Sequence, residues 1–251
     1  MPRSSSWSGL RASAVHAYTA SGAVLALLIV LAAIEGAVAR ALWLGLAALV
    51  IDGTDGMLAR RFDVKERLPS FDGALLDNIV DYLTYVFAPV VLLLQSGYLP
   101  EGWLGTVVAA VPLVASSYQF CRTDAKTPDH FFLGFPSYWN VVAFYAIVMD
   151  LAPSTVSIVV IVCALLVPVP IGYIYPSRMH EFRTVTLALS ALWLVAYAVL
   201  VAQLPDASRA VAYASLAYIA YYLGLSFFLE ARRRAARGAA GALPTPAESA
   251  L

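Results

Sequence analysis

The sequence predicts an all-α fold: a polytopic membrane helix bundle of about eight transmembrane helices with a short N-terminal interfacial helix. Three observations carry this prediction. Of the 251 residues, 61% are hydrophobic and only 13% are charged, against about 45–50% and about 25% in an average soluble domain. The apolar residues gather in nearly charge-free runs of about 20 residues, each long enough to cross a hydrocarbon core of about 30 Å. The basic residues fall on alternate loops, as expected of a chain threaded repeatedly through a bilayer.

In chain order, residues 1–16 read as an interfacial segment, with Trp7 and Leu10 toward lipid and Arg3 and Arg11 toward headgroups. The apolar run that follows is longer than the core of a secretory signal. It therefore reads as a first span, although Ala37-Val38-Ala39 resembles a cleavage site. The eight spans are predicted at 17–35, 41–62, 73–95, 103–122, 135–151, 154–174, 184–203 and 208–230. Helices are required because unpaired backbone groups are costly in lipid, and no period-two alternation suggests strands.

With both termini in the cytoplasm, the cytoplasmic segments hold Arg3, Arg11, Arg60, Arg61, Lys65, Arg67, Arg122, Lys126, Arg178, Arg183, Arg232, Arg233, Arg234 and Arg237. The opposite side keeps only Arg40 and Arg209. This asymmetry orients the bundle. Residues 17–231 read as one membrane domain and 232–251 as a basic, then disordered, cytoplasmic tail, in which Arg232-Arg233-Arg234 anchors the last helix to anionic lipid. A formal net charge of zero gives no field that would draw nucleic acid. Cys121 and Cys163 lie in apolar segments without metal or disulfide spacing and read as small buried apolar residues.

Four aspartates interrupt the apolar runs. Asp52 and Asp55 are three residues apart and share a helix face; Asp77 and Asp81 are four apart and share a face of the next helix. An ionised Asp at a helix centre costs about 2.5–3.5 kcal/mol. No lysine or arginine lies within those two apolar runs, and Arg60 stands at the rim. A positive partner from outside the chain is therefore expected. Oxygen-only donors, without His or Cys, favour Mg2+, Mn2+ or Ca2+ over zinc. A cation or proton pathway in a transporter is the alternative use of such acids. Gly53, Gly56, Ala59 and Gly73 either let helices approach closely or leave room for a ligand above the acids.

The ordered set Asp52, Asp55, Gly56, Ala59, Arg60, Gly73, Asp77 and Asp81 resembles the signature of the CDP-alcohol phosphotransferase family, D-x2-D-G-x2-A-R followed by G-x3-D-x3-D. The spacer between Arg60 and Gly73 is longer than is usual in the family. Together with Gly53, it resembles the bacterial phosphatidylcholine synthase branch. Val15-His16, Thr19-Ala20-Ser21-Gly22, Val64-Lys65-Glu66, Leu68-Pro69, Phe131-Phe132, Gly134-Phe135-Pro136 and Trp139-Asn140 are similar to that branch as well. The resemblance spans most of the chain and fades in the last two helices and the tail.

The resemblance implies an enzyme that transfers the phosphatidyl group of CDP-diacylglycerol to choline, giving phosphatidylcholine and CMP, at the cytoplasmic face of a bacterial inner membrane. Residues 17–231 would be its catalytic membrane domain, commonly a homodimer. It further implies Asp52, Asp55 and Asp77 as ligands of divalent metal, Mn2+ or Mg2+ and two ions, with Asp81 as general base and a further metal contact. Gly56, Ala59, Arg60, Gly73 and Thr19 would bind CDP-diacylglycerol, Arg60 through phosphate. Arg178 and Arg183 are either contacts of the lipid phosphate or ordinary inside charges.

Choline carries a quaternary ammonium, which aromatic faces hold well. Tyr82 and Tyr85 flank Asp81, and Tyr118, Phe135, Tyr138 and Trp139 cluster about the second cytoplasmic loop. These six are the candidate choline contacts, with an interfacial aromatic belt as the alternative. A serine, inositol phosphate or glycerol phosphate acceptor would want a more basic pocket than this sequence offers. A cation transporter would leave Gly56-x2-Ala59-Arg60 without a purpose.

Overall fold

Runs of Leu, Ala and Val favour or tolerate long helices, and glycines and prolines between them end those helices. The computed structural model describes residues 4–241, apart from His130, Ser177 and His180. The elements are α1 (Ser4–Ile34), α2 (Val38–Arg61), the one-turn α3 (Val64–Arg67), α4 (Gly73–Asp81), a π-helical turn (Tyr82–Phe87) and α5 (Ala88–Gln95). There follow α6 (Gly102–Cys121), β1 (Phe131–Leu133), α7 (Trp139–Val148), α8 (Pro153–Leu166), β2 (Gly172–Ile174), α9 (Arg183–Ala202) and α10 (Arg209–Gly241).

Among the described residues, six helices are long and apolar enough to cross a membrane: Gly9–Ile34, Val38–Arg61, Gly73–Gln95, Gly102–Cys121, Arg183–Ala202 and Arg209–Ala235. The third joins α4, the π-helical turn and α5. The chain is thus an all-α, multi-pass membrane bundle. The spans expected at 135–151 and 154–174 are shorter here, as α7 of 10 residues and α8 of 14.

Proline and glycine explain the shortening. Pro168 and Pro170 cannot continue α8. Gly134 has φ +83, and a side chain there would collide with the Val167 carbonyl. The freed segments pair instead, β1 antiparallel to β2, with Phe131 opposite Ile174. Non-helical backbone in a membrane protein must be covered by protein, and Gly172, Tyr173 and Ile174 are all buried.

Both ends of the chain depart from expectation. The interfacial segment is not a separate helix but the start of α1, because no proline separates it from the first span. Leu10 and Arg11 are exposed; the facings of Arg3 and Trp7 lie outside the described residues. At the other end, α10 runs on through the alanine-rich stretch to Gly241, since Ala and Arg are strong helix formers. Residues 242–251 of the expected disordered tail lie outside the described residues. Cys121 is exposed at the end of α6 rather than buried, and Cys163 is half-buried.

α7 lies at the centre. Trp139 and Phe144 are fully buried. The Phe144 ring stacks on Tyr197 of α9 at 3.9 Å between centroids. Two buried aromatic donors here find partners, as a packed interior favours: the Trp193 indole donates to the Tyr145 hydroxyl (2.9 Å), and the Tyr197 hydroxyl donates to the Leu42 carbonyl (3.1 Å). Leu27, Val114, Leu165 and Leu192 face outward, as suits a lipid-bathed surface.

Candidate active site

The site begins with local helix geometry. α2 carries Asp52 and Asp55 on one face, and Asp55 is buried. α4 starts where the Asp72 side chain accepts from the Ala74 and Leu75 amides, at 3.1 and 3.0 Å. That cap satisfies two otherwise orphaned donors and marks the start from which Asp77 and Asp81 follow on one helix face. α1 packs against both helices. The Thr19 hydroxyl donates to Asp55 Oδ2 at 2.8 Å, and the Tyr18 hydroxyl shares a 2.8 Å bond with the Thr54 hydroxyl. Gly22 lets Val80 of α4 press against α1, where a side chain would collide with it.

The π-helical turn follows directly on Asp81. Such turns are frequent at functional sites and re-aim the residues they carry. Here the Tyr85 hydroxyl donates to Asp52 Oδ2 at 2.5 Å. Carboxylate oxygens of Asp52, Asp55 and Asp77 lie within 4.8 Å of one another; Asp81 stands outside that trio, close enough to act electrostatically on Asp52 and Asp77. Oxygens so gathered suit hard cations, which take carboxylate ligands at about 2.0–2.6 Å. The donor set therefore fits a divalent ion.

Two cations approach the acids from loops. Lys126 Nζ lies 3.7 Å from Asp77 Oδ2 and 3.5 Å from Asn78 Oδ1. Arg178 is near enough to attract the Asp77 charge. Lys126 was not distinguishable in the sequence from the other inside charges, because its loop meets α4 only in the folded bundle.

The small residues divide by role. A side chain at Gly53 would meet nothing within 4 Å, and at Gly56 it would meet only the Arg60 guanidinium, at 3.3 Å. These two are not helix-packing glycines. Gly73 differs: a side chain there would press on the His16 ring at 2.7 Å, and that ring lies 4.3 Å from Phe71. Gly73 thus makes room for His16. Ala59 packs against the small cluster of Ala12, Val15 and Val64. Arg60 is exposed.

The aromatics divide as well. Tyr85, Tyr138 and Tyr222 form a row leading from Asp52, with ring centroids 6.1 and 6.0 Å apart. Tyr222 was missed in the sequence; its hydroxyl donates to the Ile174 carbonyl at 3.1 Å. The other four expected choline contacts are engaged elsewhere. Trp139 is a core residue whose indole donates to the Ser116 hydroxyl at 2.7 Å. Phe135 packs edge-on against Trp139 at 5.2 Å. Tyr118 is exposed beneath the Arg122 guanidinium. Tyr82 donates to the Leu113 carbonyl at 3.1 Å and meets the Phe120 ring.

Residues 16–204 match the CDP-alcohol phosphatidyltransferase family. The chain belongs to that family, and the matched stretch contains all four aspartates. Among curated relatives, the phosphatidylcholine synthase of Pseudomonas aeruginosa is 41% identical over 223 residues, covering 88% of this chain and 93% of the relative. That of Legionella bozemanae is 43% identical over 195 residues, 75% of this chain and 89% of the relative. That of Legionella pneumophila is 39% identical over 221 residues, 85% of this chain and 86% of the relative.

Proposed function

We propose that this chain is a phosphatidylcholine synthase that transfers the phosphatidyl group of CDP-diacylglycerol to choline, releasing CMP. The observation that carries the reading is the meeting of the Asp52, Asp55 and Asp77 carboxylates beside the row Tyr85, Tyr138 and Tyr222. Likeness to phosphatidylcholine synthases over most of the chain supports the choice of alcohol.

Asp52, Asp55 and Asp77 hold divalent metal, Mn2+ or Mg2+, as two ions, with Asp81 completing the set. The metal supplies charge neutralisation at the diphosphate, where positioning and electrostatics carry most of such a reaction. Asp81 takes the proton of the choline hydroxyl. The freed oxygen bonds to the phosphorus that bears diacylglycerol. The bond from that phosphorus to the bridging oxygen breaks, and CMP leaves with that oxygen and the electron pair.

Thr19, committed to Asp55 by its hydroxyl, acts by orienting that carboxylate. Arg60 binds phosphate beside Gly56, and the open side of Gly53 and Gly56 receives the nucleotide. Tyr85, Tyr138 and Tyr222 offer ring faces to the quaternary ammonium. The site opens to the cytoplasm of a bacterial inner membrane, with both termini on that side, and the working unit is a homodimer.

The test is CMP release from CDP-diacylglycerol in purified membranes, with choline, serine, inositol phosphate and glycerol phosphate compared. Choline should give the fastest release, and chelation of divalent ions should stop it. Serine outperforming choline would overturn the substrate; cation flux into sealed vesicles with no CMP would point to a transporter.

A further inference from the structure

Lys126 sits on a fixed backbone and ends in a loosely held charge. Its backbone bridges to Phe132. On either side, the Leu133 amide donates to the Ala125 carbonyl and the Thr127 amide to the Phe131 carbonyl, both at 2.9 Å. The loop is thus stitched to β1. The ammonium contacts Asp77 at 3.7 Å and Asn78 at 3.5 Å, both longer than a well-formed hydrogen bond. The side chain is 48% exposed. It also acts electrostatically on Asp52 and Asp81. An anchored stem with a free end can swing.

A divalent ion drawn to Asp52, Asp55 and Asp77 competes with this ammonium for the same carboxylate field, and like charges at such range repel. The displaced ammonium then needs an anion within reach of its four-carbon stem. A phosphate oxygen suits it, because Lys offers a compact charge with three rotatable donors. We propose that Lys126 exchanges partners: it rests on Asp77 and Asn78 in the metal-free protein and pairs with the diphosphate of the CDP-linked lipid when metal is held. This rests on the phosphatidylcholine synthase reading above.

The test compares the wild type with Lys126→Gln and Lys126→Arg in nanodiscs of phosphatidylcholine. Mn2+ binding is followed by the free-ion electron paramagnetic resonance signal without liponucleotide. CDP-diacylglycerol binding is then measured at saturating Mn2+. Lys126→Gln should bind Mn2+ several-fold more tightly and CDP-diacylglycerol about tenfold more weakly, the loss expected for one hydrogen bond to a charged group. Lys126→Arg should stay near wild type in both. Opposite movement of the two affinities separates this role from a structural one, since a damaged fold weakens both.

Both affinities weakened, neither changed, or only one moved would overturn the proposal. A further arm adds phosphatidylglycerol to the disc without CDP-diacylglycerol. The difference in Mn2+ affinity between variant and wild type should persist; its disappearance would mean that Lys126 pairs with bulk anionic headgroups, and the proposal falls. Failure of the wild type to bind CDP-diacylglycerol would instead sink the function itself.

Discussion

Around Glu230, charges are matched. Arg233 pairs with Glu230 at 2.8 Å and with Asp129 at 2.7 Å, while Arg234 pairs with Glu230 at 2.7 Å and donates to the Pro170 carbonyl at 2.8 Å. Arg232 reaches Glu181 at 2.8 Å. Burial pushes the Asp129 carboxyl up, yet the Thr127 hydroxyl and Arg233 hold it below its ordinary value. Around Asp52 the balance is broken: of four clustered carboxylates, Asp52, Asp77 and Asp81 feel the half-exposed Lys126, and Asp77 also feels Arg178. The matched cluster ties α10 to the loops that flank β1 and β2. The unmatched one is a cluster whose charge a divalent ion would neutralise. Arg232, Arg233 and Arg234, expected as a lipid anchor, are each paired with an acid of the protein.

The contrast can be broken experimentally, beginning with the largest effect. Asp81→Asn should lower turnover by about 10²–10⁴, the usual worth of a positioned general base, while Mn2+ and CDP-diacylglycerol still bind. Loss of lipid binding in a titration would make Asp81 structural. Glu230→Gln should destabilise the protein by about 3 kcal/mol in thermal or denaturant unfolding, because removing one partner strands a buried charge. An unchanged midpoint would mean that Asp129 alone satisfies Arg233.

Asp52→Asn carries the opposite sign. In metal-free protein it should raise stability by about 1–2 kcal/mol through relief of like-charge repulsion, while turnover falls. A drop in midpoint would show that the acids are already compensated. The smallest of these effects concerns Tyr85→Phe, which keeps the ring and removes the bond to Asp52. Turnover should fall about tenfold with the choline KM unchanged. A raised KM at unchanged turnover would assign the hydroxyl to choline rather than to Asp52.

Much of this contrast was legible beforehand. The i, i+3 and i, i+4 spacings of Asp52 with Asp55 and of Asp77 with Asp81 set each pair on one face, because helix periodicity follows from backbone hydrogen bonds within a few residues. Glu230 with Arg233 and Arg234 follows the same local rule, but those arginines read as a lipid anchor and the pairing went unread. Pro168 and Pro170 carried the signal that α8 ends early, but the hydropathy of the run masked it. Trp139 read as a ligand contact because nothing nearby in the chain announced Ser116 as its partner.

Composition and local spacing therefore specified a membrane bundle, the acid-bearing faces of α2 and α4, and the family signature. The meeting of those faces with Thr19 and Tyr85, the approach of Lys126, the addition of Tyr222 and the pairing of Asp129 with Arg233 came only from packing. Those contacts join elements distant along the chain. In lipid, which helix touches which depends on close van der Waals fit and interhelical hydrogen bonds summed over many residues. No single stretch of sequence carries that sum.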